Sequence, residues 1–168
     1  MRKILRCIGV ALMLTSMGGQ ALAAVSPSGC VRSDDVFALR AAAVQQRLMV
    51  AAFSCQAVDR YNKFVIAYRK DLQASDLALQ RFFRRVNGQT GTADYHSYKT
   101  RLANASSMQS IGDVQGYCAN AEATFADALA ARDKSLRIFL ADKPAEAESA
   151  YAPCPVYTAS AVKVPSRR

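Results

Sequence analysis

The chain has no tryptophan and a single histidine, His96. One imidazole leaves a metal centre short of ligands, because zinc sites combine several His and Cys side chains. Nothing resembles CxxC, and the cysteines lie too far apart for zinc-finger spacing. No GxSxG, HExxH or glycine-rich phosphate loop occurs, so the signatures of α/β-hydrolases, zincins and P-loop enzymes are missing. No cofactor and no metal are expected. Glycine and proline are sparse through the middle of the chain, which leaves long stretches free for helices. No internal repeat is found. Beyond the N-terminus, no second stretch reads as long and apolar enough to cross a membrane.

The N-terminus carries the clearest pattern. Arg2, Lys3 and Arg6 form a positive start, Ile8 to Met17 an apolar run, and Ala21-Leu22-Ala23 a small-x-small cleavage pattern. The apolar run is shorter than the ~20 residues a spanning helix needs. Residues 1–24 are therefore expected to be a signal peptide, cut near Ala23/Ala24, and the protein to work in the bacterial periplasm or beyond. The remaining chain, about 144 residues, is one domain's worth.

The formal charge is +9, with 22 Lys and Arg against 13 Asp and Glu. It is unevenly spread. Residues 36–101 hold eleven basic and four acidic side chains, and residues 102–150 hold four basic and seven acidic ones. A basic half followed by an acidic half suggests attraction to anionic surfaces, or head-to-tail self-association. Solvated helix faces explain the same pattern.

Helical spacing runs through the chain, and no strand is convincing. Phe37, Ala41, Val44, Leu48, Ala51 and Cys55 mark one face of a first helix. Ser33 is its expected N-cap, ahead of Asp34 and Asp35. Arg40 and Arg47 fall off that face, toward water. Tyr61, Val65, Tyr68 and Leu72 mark a second helix, from Ala57 to Lys70. Ser75 to Asn87 forms a third, stopped by Gly88. Gln89-Thr90-Gly91 reads as a loop, and Thr92 as the cap of a fourth helix carrying Tyr95, Tyr98, Leu102 and Ala105. Ser110 to Gly116 reads as a turn. A fifth helix carries Cys118, Ala121, Phe125 and Leu129 and continues toward Leu140. The helical domain is expected over residues 25–143. Pro144 ends it, and residues 144–168 are expected to be an extended or mobile tail. The fold expected is all-α, a bundle of four or five helices.

Cys7 leaves with the leader, so four cysteines remain: Cys30, Cys55, Cys118 and Cys154. An even number in an exported chain implies two disulfides, with three possible pairings. Cys30 and Cys55 flank the first helix, and twenty helical residues span about 30 Å. Bridged Cα atoms lie about 5.5 Å apart. An unbroken helix excludes that pairing and its companion. Cys55 and Cys118 both sit on core stripes, so Cys55–Cys118 inside the bundle and Cys30–Cys154 across the chain ends are the favoured pairs.

The sharpest polar cluster is Arg81, Arg84 and Arg85, at i, i+3 and i+4 on one helical face. Arginine forks bind carboxylate or phosphate bidentately. Three together can hold an anionic ligand such as lipid A phosphates, a teichoic-like polymer or an acidic protein patch. A solvated face packed beside Asp71 or Asp76 is the plainer account of the same cluster. Basic and aromatic residues interleave, as in Arg60-Tyr61 and Arg81-Phe82-Phe83-Arg84, a mixture found in single-strand binders. Core packing explains those aromatics, and export disfavours nucleic acid. His96 lies in Asp94-Tyr95-His96-Ser97, too local an arrangement for a triad. Asp34 and Asp35 fit helix capping, and Glu146 and Glu148 a polar terminal segment. Tyr61, Tyr68, Tyr95 and Tyr98 suit either an exposed recognition surface or a bundle seam with hydroxyls at its edge.

Gln45-Gln46-Arg47-Leu48-Met49-Val50-Ala51-Ala52, Asp59-Arg60-Tyr61-Asn62-Lys63-Phe64-Val65, Asp94-Tyr95-His96 and Lys99-Thr100-Arg101-Leu102 resemble small exported helical proteins of proteobacteria. The resemblance covers about half of the chain after the leader. It implies a periplasmic or secreted setting and transfers no activity and no catalytic residue. The leading expectation is a non-enzymatic envelope binding or adaptor protein that uses the Arg81, Arg84 and Arg85 face, with an envelope protein or anionic polymer as partner. The alternatives are a chaperone-like role, an assembly subunit, or an envelope hydrolase or transferase with its site near Asp94 and His96.

Overall fold

The computed structural model describes residues 29–141, 143 and 152–154. The expected signal peptide and nearly all of the expected tail lie outside the described residues. Helices make up almost the whole of what is described: α1 (Ser33–Ser54), α2 (Val58–Ala67), α3 (Arg69–Asn87), α4 (Gly91–Gly112), α5 (Val114–Ala130) and a short α6 (Leu136–Leu140). The all-α bundle is as expected.

Helix α1 is the centre of the bundle. Its alanines allow close approach on two sides, and Ala38, Leu39, Ala41, Ala42, Val44, Leu48, Ala51 and Ala52 are all buried. Ala41, Val44 and Leu48 pack with Phe64, Tyr68, Tyr117, Phe125 and Leu136 in one core. Ala38, Leu39 and Ala42 pack with Leu79, Phe82, Phe83, Tyr95 and Tyr98 in a second. A single apolar stripe was expected, and the helix buries two. Length and composition make α1 alone among the described helices long and apolar enough to cross a membrane, although no such stretch was expected beyond the N-terminus. In this fold two of its sides pack into the two cores, and Phe53 near its end stays exposed.

Helix boundaries differ from expectation for local reasons. Arg32, not Ser33, is the N-cap of α1, and the Asp35 carboxylate accepts its backbone N–H at 2.8 Å. Helix α3 starts at Arg69, because only a one-residue break at Tyr68 separates it from α2. Ser75 is therefore buried inside α3, where its hydroxyl donates to the Leu72 carbonyl at 2.9 Å and caps nothing. The expected loop at Gln89 is a single 3-10 turn, Gly88–Thr90. Helix α4 runs through Ser110 to Gly112, and its inner face is Tyr95, Tyr98, Ser106 and Ser110, with Ala105 exposed. On α5 the buried face is Tyr117, Ala121, Phe125 and Ala128, and Leu129 is half-buried. That helix stops at Ala130, and α6 is separate.

Side chains from distant helices close these ends. Asp71 of α3 accepts the Leu136 N–H at 2.6 Å and so starts α6. Arg40 of α1, expected to reach water, donates instead to the Leu140 and Ala141 carbonyls at the end of α6. Buried tyrosine hydroxyls bind carbonyls across the seams. Tyr68 donates to Ala128 O at 2.7 Å, and Tyr117 donates to Arg47 O at 2.9 Å and meets Ser106 Oγ at 2.7 Å. No buried side-chain nitrogen or oxygen among the described residues lacks a partner.

Both favoured disulfides are present. Cys55–Cys118 joins the end of α1 to α5 with Cα atoms 5.5 Å apart, and Cys30–Cys154 has Cα atoms 4.7 Å apart. Around the latter, Val31 N donates to Ala152 O and Cys154 N to Val31 O, each at 2.9 Å. Residues 152–154 thus lie as a short parallel bridge beside Val31. Two such disulfides are compatible with an extracytoplasmic setting.

Candidate binding face on the third and fourth helices

Helix α3 is strongly two-sided. Leu72, Leu79, Phe82 and Phe83 are buried, and Arg81 and Arg84 are exposed on the other side. Gly88, at φ +58°, ends the helix in a conformation that side chains rarely adopt. The chain then turns at once into α4. Gly91 is where the two backbones touch: a Cβ there would lie 2.6 Å from the Arg84 Cα and 2.6 Å from the Phe83 carbonyl oxygen. Only glycine fits, and that close approach seats Arg84 against the start of α4.

The three arginines of the sequence cluster do different things. Arg85 turns inward. Its guanidinium pairs with the Asp35 carboxylate and donates to the Cys30 carbonyl at 3.0 Å. It ties α3 to the start of α1 and to the disulfide segment. Arg84 is exposed and reaches Gln80 Oε1 at 3.3 Å. Arg81 is exposed one turn earlier. Neither Asp71 nor Asp76 neutralises Arg81 or Arg84. Asp71 caps α6, and Asp76 is held by α4.

The site around Asp76 was not among those expected from sequence. Asp76 Oδ1 accepts the Tyr95 hydroxyl at 2.7 Å and the Lys99 ammonium at 2.9 Å, and Oδ2 accepts the Gln80 amide at 3.0 Å. The Lys99 ammonium also lies 5.4 Å from the Tyr95 ring centre. Burial alone pushes the Asp76 carboxyl up, but the bonds from Tyr95, Lys99 and Gln80 outweigh it and hold the group below its usual range. Burial pushes Lys99 down, and its bonds to Asp76 and Tyr95 reverse that and leave it raised. Burial and the bond to Asp76 both push the Tyr95 phenol up. The signal was available as two i, i+4 pairs, Asp76/Gln80 and Tyr95/Lys99, on adjacent helices. The network is fully satisfied, so it locks α3 to α4 and leaves no free acid or base.

Beside it, Gln80, Arg84, Thr92, Tyr95 and His96 line a small polar cleft of about 200 Å³. Asp94 does not orient His96. Its carboxylate accepts the Thr90 hydroxyl at 2.6 Å and the Asn87 amide at 2.9 Å, and those bonds lower its pKa. It is a cap for α4. The His96 ring meets Tyr95 edge-on at 4.9 Å. Of the aromatics interleaved with basic residues, Phe64, Tyr68, Phe82 and Phe83 are buried, which leaves their faces unavailable for stacking bases, and Tyr61 is half-buried against the core. Among the described residues no group of three or more His, Cys, Asp or Glu could hold a metal.

No protein-family model, curated protein or solved structure matches the chain. No residue role therefore comes to it from another protein, and its own geometry is the basis for a functional reading.

Proposed function

We propose that this is an exported, non-enzymatic binding or adaptor protein of the bacterial envelope, which takes an anionic partner on the outer face of α3. The observation that supports this reading is the pairing state of the arginines. Arg81 and Arg84 stand on the solvent side of a helix fixed to the core, and neither meets a carboxylate there. Arg84 also borders the cleft formed with Thr92 and His96. Two guanidinium forks with a hydroxyl and an imidazole alongside suit phosphate or carboxylate groups on a polymer or an acidic protein. The leader pattern of residues 1–24 and the two disulfides favour the periplasm or the exterior as its place of work.

The test is charge reversal at Arg81 and Arg84 with Arg85 left intact. Retention of the oxidised protein on lipopolysaccharide, teichoic acid and an acidic protein surface is compared between wild type and Arg81→Glu/Arg84→Glu. Salt-sensitive retention by at least one, lost in the variant, supports the reading. Equal retention by both proteins refutes it.

A second reading rests on a separate observation. Phe53, Met108 and Ile111 are 76%, 67% and 77% exposed. Phe53 and Ile111 are the chain neighbours of Ser54 and Ser110, whose hydroxyls meet at 3.4 Å near the ends of α1 and α4, and Met108 lies one turn before Ile111. Exposed large apolar side chains of this kind suit a chaperone-like or adaptor role. Suppression of aggregation of an unfolded client, lost on Phe53→Ser/Ile111→Ser, is the corresponding test.

A further inference from the structure

A broad cleft lies on the other flank of the Asp76–Lys99 pair. Its volume is about 640 Å³, and it runs between α1, α2, α3 and α4. That is within the usual range for small-molecule sites, roughly 300–1,000 Å³. Val65, Leu72 and Leu77 supply apolar surface, and Arg69, Asp76 and Lys99 supply charge. Leu77 is 53% exposed although it is a large apolar side chain. Gln45 and Gln73 add amides that can donate to an oxyanion.

The charges of this lining are not equivalent. Lys99 is spent on Asp76 at 2.9 Å. Arg69 has no carboxylate partner among the described residues and stands at the first position of α3. The lining therefore carries one net positive charge, and its available donor fork is that of Arg69. A monoanion balances it. A dianion such as a phosphate monoester would bring surplus negative charge close to Asp76. The apolar strip of Val65, Leu72 and Leu77 calls for an apolar body behind the anionic head.

We propose that this cleft binds a single-chain carboxylate amphiphile, with its carboxylate on Arg69 and its hydrocarbon along Val65, Leu72 and Leu77. The site is separate from the Arg81/Arg84 face, and the two stand or fall independently. A bound acyl chain covers Leu77 and completes the apolar surface between α2 and α3.

The test uses laurate, below its micelle concentration, with the full oxidised chain. Isothermal titration calorimetry measures its affinity, with butyrate, dodecyl maltoside and dodecyl phosphate as comparisons. The expected result is saturable one-to-one binding of laurate, at least tenfold weaker binding of the other three, and at least a tenfold loss in each of Arg69→Gln and Leu77→Gln. Both positions are exposed, so the variants fold, and helical circular dichroism checks this. Arg81→Glu/Arg84→Glu should bind laurate as the wild type does. No saturable binding of laurate overturns the proposal, as does equal binding of dodecyl maltoside or full affinity in Arg69→Gln. Stronger binding of dodecyl phosphate overturns the carboxylate assignment and makes the ligand a phosphate amphiphile.

Discussion

The Arg85 guanidinium of α3 pairs with the Asp35 carboxylate of α1 across fifty residues of sequence. Asp35 at the same time accepts the Arg32 N–H that opens α1, and Arg85 also donates to the Cys30 carbonyl. One ion pair thus fixes a helix start, a helix–helix contact and a disulfide segment. It also takes Arg85 out of the basic face.

Arg85→Ala leaves a largely buried Asp35 carboxylate without its cation. Breaking a fully buried pair costs about 3–5 kcal/mol, and this one is partly solvated, with side-chain exposures of 20% and 11%. A loss of about 2 kcal/mol is expected in urea unfolding, whereas Arg81→Ala and Arg84→Ala should stay within about 0.5 kcal/mol of wild type. Equal effects at all three positions would place Arg85 on the surface with the others.

Gly91→Ala drives a methyl into the backbone of Arg84 and Phe83, at 2.6 Å from each. Neither atom is the end of a flexible side chain, so α3 and α4 must separate. Overpacking of this kind costs about 1–3 kcal/mol. The variant should melt several degrees below wild type. Gly112→Ala, where a Cβ meets nothing within 4 Å, should not.

Each disulfide closes a long loop. Sequence separations of 63 for Cys55–Cys118 and 124 for Cys30–Cys154 give about 4 and about 5 kcal/mol in the chain-entropy model. Replacing either pair with alanine should lower the urea midpoint markedly. The Cys30–Cys154 variant should also release residues 152–154, seen as faster amide exchange at Val31 and Cys154, whose backbone bonds lie at that bridge.

The Asp76–Tyr95–Lys99 network gives stability a pH dependence with two edges. The Asp76 carboxyl is lowered in the folded state. Its contribution is complete above the unfolded value of about 3.9 and is lost as pH falls through the lower folded value. Lys99 is raised. Its contribution is complete below about 10.4 and fades as pH rises through the higher folded value. Between about pH 5 and 9 the network should add no slope. Lys99→Met should flatten the alkaline limb in pH-dependent urea melts and weaken the acid one. Unchanged limbs would mean that the network does not form.

The helical class and both disulfide pairs were legible in the sequence for one physical reason. Period-3.6 stripes place Cys55 and Cys118 inward, and helix rise forbids Cys30 from reaching Cys55. Boundaries were less legible. Ser75 has the look of an N-cap, but its helix is continuous from Arg69, because a serine hydroxyl can equally bond back to a carbonyl inside a helix. Arg40 and Arg85 look solvent-facing in sequence, since a helical wheel does not know which distant carbonyl or carboxylate will sit beside it. The Asp76 network joins residues 19 and 23 apart in sequence on two helices. The tight Gly88–Gly91 turn, where Gln89-Thr90-Gly91 reads in sequence as a loop, and the packing of Phe83 against Tyr98 bring those residues together.

Capture of an anionic partner by the outer face of α3, through Arg81 and Arg84, is tested most directly by a pull-down from envelope extract. The oxidised protein is used at low and high salt, beside Arg81→Glu/Arg84→Glu. The expected result is a partner held by wild type at low salt, released at high salt, and absent from the variant. A partner retained by the variant, or retained at high salt by both proteins, would contradict this role and move the interface away from the α3 face.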